Sequence, residues 1–261
     1  MSSPAVRGVS RHPVMSMRLL PLVLALLAFA LPARAAEFEL SPTRVRLDAR
    51  HLVDTVQVGN SGATPLQFEV SVSSWRMGDD GAWQLAPSDD LIVHPLLLEI
   101  APGSKARLRV GLLLPPTGPG EAAYRIELQE QPAAAATAAG SGVRMLTKIS
   151  LPVFVAGSDA GTPAPVLQAP RWRGDALAFV LRNAGEAFLP PQTLTLQLLA
   201  ADGSVLQRRQ LQGNYVLAGA SLPLRVQAAA ALCARTTALV LRLEDTGTDL
   251  RLPLSARHCV P

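Results

Sequence analysis

Residues 141–155 read SGVRMLTKISLPVFV. Val143, Met145, Thr147, Ile149, Leu151, Val153 and Val155 fall on one side of an extended chain, with Arg144, Leu146, Lys148, Ser150, Pro152 and Phe154 on the other. Successive side chains of a strand point to opposite faces, so this alternation specifies one long strand. A lysine in its middle and a proline near its end are the features that such a strand must accommodate.

The same period of two runs through the rest of the chain, and no long helical stripe competes with it. Strands are predicted in FELSPTRVRLDA, DTVQVGN, PLQFEVSVSSWRM, GAWQLA, LIVHPLLLEI, KARLRVGLLL and AYRIELQEQ, followed by VRMLTKISLPVFV. A second set comprises PVLQAPRWR, ALAFVLRN, QTLTLQLLA, SVLQRRQLQ, ASLPLRVQA, TALVLRLED and DLRLPLSA. Short strands at this spacing, separated by Gly, Pro, Asn and Asp, argue for an all-β fold of two immunoglobulin-like β-sandwich domains. The turn-rich stretch GSDAGTPAP at 157–165 places the break, giving domains at 36–157 and 158–261. Two echoes suggest duplication. VGNSG at 58–62 is similar to LRNAG at 181–185, and GSKARLRV at 103–110 to GASLPLRV at 219–226. Asn60, Gly59 and Gly62 read as turn residues.

Residues 1–35 have the parts of a secretory signal. Arg7, Arg11 and Arg18 precede the apolar run LLPLVLALLAFAL, and Ala33-Arg34-Ala35 offers small residues for cleavage after Ala35. The apolar run is short for a membrane span, so no stable membrane insertion is expected after cleavage. Four of the 24 Lys and Arg lie before Ala36, which leaves as many cations as the 20 Asp and Glu. The remaining chain is therefore neutral and carries no basic stripe for nucleic acid. Cys233 and Cys259 are the two cysteines; in an exported chain they read as a disulfide joining the last strand to an earlier one.

The search for catalytic chemistry returns no site. His51, His94 and His258 are widely separated, and there is no HExxH, G-x-S-x-G elbow, P-loop or CxxC. No metal or cofactor is expected. Asp79-Asp80 and Asp89-Asp90 read as turn residues, because neighbours on a strand diverge to opposite faces. Trp75, Trp83 and Trp172 could line a cleft or pack in the sandwiches. A binding or assembly role is the better default than an enzyme.

The order of several motifs resembles the periplasmic chaperones of the chaperone–usher pilus pathway, in the archaic branch associated with spore-coat-protein-U subunits. These motifs are FELSPTRVRL, VGNSG, SWR at 74–76, DDLIVHP at 89–95, IAPGSKARLRV at 100–110, EAAYRIELQEQP at 121–132 and ISLPVFV. The resemblance implies an L-shaped pair of sandwiches in the periplasm that binds pilus subunits by donor-strand complementation and hands them to an outer-membrane usher. It implies a basic pair that anchors the subunit's C-terminal carboxylate. Arg44 matches the arginine. The family's lysine position falls near Ser150, and Lys148, two residues away on the same face, is the candidate, with Arg46, Arg109 and Arg125 as substitutes. Val143, Met145 and Leu146 would belong to the donated strand, although Val143 and Met145 fit their own core equally well. The alternative is an exported immunoglobulin-like binding protein or adhesin that recognises through its loops.

Overall fold

The computed structural model describes residues 38–132, 146–158 and 161–260. The signal segment, Val143 and Met145 lie outside them. The first ten strands are β1 (Phe38–Ser41), β2 (Val45–Leu47), β3 (Val53–Asn60), β4 (Leu66–Met77), β5 (Trp83–Pro87), β6 (Leu91–His94), β7 (Leu97–Ile100), β8 (Lys105–Leu112), β9 (Glu121–Glu130) and β10 (Lys148–Ala156). They form two sheets, one ordered β1-β3-β8-β6 and the other β2-β10-β9-β4-β5, with β7 also paired to β4. Their inner faces enclose a core that includes Val45, Phe68, Leu108, Ile126, Leu151 and Val153.

Two runs expected as single strands are each divided. FELSPTRVRLDA becomes β1 and β2, and LIVHPLLLEI becomes β6 and β7, with the members of each pair in opposite sheets. Pro42 and Pro95 stand at the breaks. A proline cannot donate to a ladder, so the strand ends there and the chain crosses to the other sheet. The long strand is shorter than its pattern: β10 begins at Lys148, and Leu146 and Thr147 precede it without strand geometry.

The second half forms β11 (Pro165–Arg173), β12 (Ala176–Asn183), β13 (Thr193–Leu199), β14 (Val205–Gln212), β15 (Ser221–Gln227), a short helix α1 (Ala230–Cys233), β16 (Ala238–Leu243), β17 (Thr248–Pro253) and β18 (Cys259–Val260). The sheets β15-β12-β11-β18 and β14-β13-β16-β17 pack on a separate core around Trp172, Leu177, Phe179, Leu196 and Leu241. Cys233 and Cys259 are disulfide-bonded. The bond ties β18 to α1, not to another strand, because the small-residue run before Cys233 closes a single helical turn.

The two sequence echoes meet in the fold. Asn60 is buried; its amide donates to the Thr64 and Ile100 carbonyls, and its side-chain oxygen accepts from Gly62 N–H. Asn183 repeats the pattern, donating to the Ala187 and Val216 carbonyls and accepting from Gly185 N–H. The backbone N–H of Asn60 bonds to Ser104 and that of Asn183 to Ala220, the residues that follow Gly103 and Gly219. Both glycines have positive φ, 67° and 70°, a conformation that disfavours a Cβ. Each sandwich thus fastens one echo to the other with the same buried amide.

Candidate partner-binding face

In β10, Ile149, Leu151, Val153 and Val155 turn towards the core of the first sandwich. Lys148, Ser150, Pro152 and Phe154 therefore lie on the outer face of the sheet. The register sets Ser150 against Glu127, Pro152 against Arg125 and Phe154 against Ala123 on β9, and Arg125 against Ser73 on β4. On the other side β2 runs parallel to β10, with Val45 against Val153 and Arg46 against Phe154. Arg44, the residue before Val45, thus stands beside Pro152. Arg44, Lys148 and Arg125 share one outer face. Arg109 is on β8 in the opposite sheet, exposed and paired with Thr55 and His94, away from this group.

The far end of this face is covered by the second sandwich. Trp75, Phe154, Phe188 and Leu217 form a buried cluster, with Tyr215 partly buried beside it. The Phe154 and Phe188 rings stack with centroids 3.6 Å apart and planes at 12°. Tyr215 meets Trp75 edge-on at 5.3 Å. Burial of each large apolar side chain contributes about 2 kcal/mol, so this cluster fixes one sandwich against the other. Arg44 and Arg46 place their guanidinium carbons 5.4 and 5.0 Å from the centroid of the same Phe188 ring. Arg44 is half-buried and Arg46 exposed.

Glu121 joins this group, its Oε1 accepting the backbone N–H of Phe188 at 2.9 Å. Burial raises its pKa, and the Phe188 hydrogen bond and the charges of Arg46 and Arg44 oppose the rise without cancelling it. Lys148 is ion-paired with Glu127 at 2.9 Å, the lysine half-exposed and the glutamate largely covered.

Arg125 is buried. Its Nε donates to Ser150 Oγ at 2.9 Å and its Nη2 to the Ser150 carbonyl at 3.1 Å. The guanidinium carbon lies 4.7 Å from the Trp75 ring and 4.5 Å from Trp83. Nη1 is buried and has no partner among the described residues. Desolvation lowers the arginine's pKa, with Tyr215 and Glu127 acting against it. Trp83 is 40% exposed on β5 and packs edge-on against Trp75, whereas Trp172 is buried in the second core.

The backbone of β10 is the other half of the site. Among the described residues, β9 alone pairs with positions 148–152; β2 reaches only 153–155. Thr147 C=O accepts from Glu130 N–H, and Gly157 N–H donates to Gly120 C=O, so the odd-numbered residues carry the ladder to β9. In an antiparallel pair the intervening residues turn their N–H and C=O groups the other way. Lys148, Ser150 and Pro152 thus direct their backbone groups to the open edge. The proline is tolerated because β9 requires no donor from it.

In the cleft of about 430 Å³ between the sandwiches, Tyr124 donates to Asp90 Oδ2 at 3.1 Å. Burial, with the Asp90 carboxylate, pushes the phenol up to about 12, so it stays protonated. Among the described residues no three metal-ligating side chains gather.

Sequence reasoning singled out Arg44 and Lys148 as candidates and did not name Phe188, Tyr215, Leu217 or Glu121, which the fold gathers at the same end of the face. The signal for the two aromatics was present: each is a large ring isolated in a turn-rich stretch, NAGEAFLPP and QGNYVLAG. A buried aromatic in a loop has to cover something beyond its own sheet.

Two sandwiches joined by an aromatic cluster, with the first presenting a basic outer face, give the chain an immunoglobulin-like architecture. Residues 37–159 match the family described as pili and flagellar-assembly chaperone, PapD N-terminal domain. Over those residues, the first sandwich, the chain is similar to the pilus-assembly chaperones. No curated protein sequence matches it significantly.

Solved structures share the fold. A chain of the CsuC–CsuE chaperone–tip adhesion subunit pre-assembly complex, from archaic chaperone–usher Csu pili of Acinetobacter baumannii, is 18% identical with a TM-score of 0.54; the match covers 84% of this chain and 98% of that one. The E. coli chaperone DraB is 17% identical, with a TM-score of 0.53 and coverage of 85% and 98%. The Salmonella enterica SafA pilin–SafB chaperone complex gives 15%, 0.54, 85% and 98%. Among the described residues no helix is long and apolar enough to cross a membrane.

Proposed function

We propose that the protein is a periplasmic chaperone of the archaic chaperone–usher branch that lends the open edge of β10 to pilus subunits and releases them to an outer-membrane usher. The supporting observation is the edge itself: residues 148–152 present backbone donors and acceptors that no described strand pairs. A subunit sandwich lacking a strand has the complementary defect, and β-augmentation satisfies both with main-chain hydrogen bonds. The exposed Leu146 leads into this edge and can enter a subunit groove. Cleavage after Ala35, a division of the chain near 157–158 and the absence of a catalytic step belong to the same reading.

In this reading Arg44 and Lys148 anchor the subunit's terminal carboxylate. Both lie on the outer face, Arg44 beside Pro152 and Lys148 four residues away along β10, and a charge-assisted hydrogen bond to a carboxylate is strong when partly desolvated. Lys148 would have to exchange Glu127 for the incoming carboxylate. Because Glu127 is largely covered, that exchange gives up a partly buried ion pair, which the incoming carboxylate has to offset.

The test is co-export of the chaperone with a subunit encoded beside it, followed by co-purification. Arg44→Ala and Lys148→Ala should each lower recovery of the complex while the chaperone's melting temperature is kept. Full recovery from the double variant sinks the anchoring role. No complex with the unaltered chaperone sinks the chaperone reading for that subunit.

A further inference from the structure

The second sandwich carries a cluster of arginines that plays no part in the subunit-binding face. It lies on the outer surface of the sheet β15-β12-β11-β18. Arg171 on β11 stands opposite Ala178 on β12, and Ala178 stands opposite Arg225 on β15. Two residues along, Arg173 stands opposite Ala176, which is paired with Gln227. Residues directly opposite on paired strands share a face, and Leu177 and Phe179 take the other face into the core. The two alanines thus form a floor, and with the three arginines they line a hollow of about 310 Å³.

This arrangement runs against local preference. Alanine is a weak strand former, yet it occupies two outward positions of the central strand β12. On β11, Leu167 packs on the core and Gln168 stands opposite Val180 on the outer face. Unbroken alternation from Gln168 would turn Trp172 outward and both Arg171 and Arg173 into the core. A bulge between Gln168 and Arg171 adds one residue and reverses that phase, so that Trp172 is buried and both arginines point out. Within the bulge Ala169 has a φ of 52°, a conformation that disfavours a Cβ.

Arg171, Arg173 and Arg225 are exposed, and none has a hydrogen bond or ion pair among the described residues. β11, β12 and β15 contain no Asp or Glu. Asp175, in the turn between β11 and β12, gives its Oδ1 to the Ala230 N–H. Strand spacing places the three arginine Cα atoms at the corners of a triangle with sides of about 7–12 Å, within which three long side chains meet over the alanine floor. Cations held this close repel one another until an anion stands between them.

We infer that the hollow binds the phosphate of a small soluble phosphate monoester, with one guanidinium to each terminal oxygen. A carboxylate has two oxygens and one charge, whereas a phosphate monoester has three oxygens and about −1.5 to −2 charges, which suits three planar donor forks. Ligand pockets run from about 300 to 1,000 Å³, so this one has room for the phosphate and a short polar group. Of the exposed large apolar side chains among the described residues, Val166 alone lies on this face, too little to enter a bilayer. No residue of the first sandwich takes part, so the site stands or falls apart from the donor-strand reading.

The experiment is a titration of the full exported chain with glycerol phosphate at low salt, followed by calorimetry and by the amide shifts of Ala176 and Ala178. Saturable binding is expected, with no binding of glycerol and at least about tenfold weaker binding of acetate. Arg171→Gln, Arg173→Gln and Arg225→Gln should each weaken it about tenfold, the factor that a charge-assisted hydrogen bond controls. Arg182→Gln, on the same face but outside the hollow, should leave it unchanged. Ala178→Leu keeps every arginine and fills the floor, and it should abolish binding while the melting temperature shows the chain folded.

Absence of saturable binding overturns the site, as does equal weakening by Arg182→Gln, which would reduce the effect to general surface charge. Acetate binding as tightly as glycerol phosphate overturns the choice of phosphate. Sedimentation with vesicles containing phosphatidic acid, without binding of glycerol phosphate, would assign the arginines to a lipid surface and overturn the soluble ligand.

Discussion

Glu121 and Phe188, 67 residues apart in sequence, are joined by a hydrogen bond of 2.9 Å from the Phe188 backbone N–H to Glu121 Oε1, so that a carboxylate of the first sandwich holds a loop of the second. The pKa of this half-buried carboxyl is raised above its ordinary value of 4.5, burial being the cause. Between the ordinary and the raised value the folded chain holds a proton that the unfolded chain has released, so this group's contribution to stability falls as pH rises through that interval. Glu121→Gln cannot titrate. The difference in urea midpoint between the unaltered protein and this variant should therefore shift in favour of the variant as pH rises from 4.5, and level off above the raised value. A difference independent of pH would show that Glu121 does not titrate in this way.

Phe188 carries a face of stacked ring and a face of guanidinium groups. Phe188→Leu keeps apolar bulk but loses both ring interactions, and a loss of about 1–2 kcal/mol is expected. Phe188→Ala also opens a cavity and should cost about 3 kcal/mol or more. Chemical denaturation measures both; equal losses for the two variants would mean that the ring geometry contributes nothing beyond volume.

The two buried asparagines should behave alike. Replacing Asn60 or Asn183 with alanine strands backbone groups that have no water to turn to, and each should cost about 3 kcal/mol. Asn183 also accepts from Ala164 N–H and lies within reach of the Leu217 carbonyl, so its loss should be the larger. Amide exchange would localise each effect: Asn60→Ala loosening β3 and the turn before β8, Asn183→Ala loosening β12 and the turn before β15.

The disulfide spans 26 residues of sequence. Cross-linking a loop of this size restricts the unfolded chain by about 3 kcal/mol. The double variant Cys233→Ser, Cys259→Ser should accordingly unfold at lower urea, with the loss confined to the second sandwich. A change in the first sandwich's exchange rates would contradict the separation of the two cores.

How far the fold was legible depended on whether its cause was local. Alternation along β4, β9 and β12 is a property of each strand's own residues, and those strands are where the pattern places them. The breaks at Pro42 and Pro95 were written in the sequence but not their consequence, because a proline says that a strand stops and not which sheet receives the chain next. The single turn of α1 was hidden in an alanine-rich run that has no period to read.

The candidate site divides in the same way. Arg44 and Lys148 could be placed on a face from the sequence, since counting by two along β2 and β10 needs no tertiary knowledge. The pairing of Lys148 with Glu127, and of Arg125 with Ser150, depends on the register between β9 and β10, which is set by the shared core and not by either strand alone.

The sequence by itself determined that this protein is built of strands, that it folds as two immunoglobulin-like sandwiches, and that a strand with Lys148 and Pro152 on one face runs up to Val155. Tertiary structure alone decided which edge of that strand is open, which of its carbonyls is capped, and that the loop residue Phe188 covers Phe154 beneath two arginines. Side-chain alternation is fixed by the geometry of one chain, whereas an edge is defined by the strand that is not beside it.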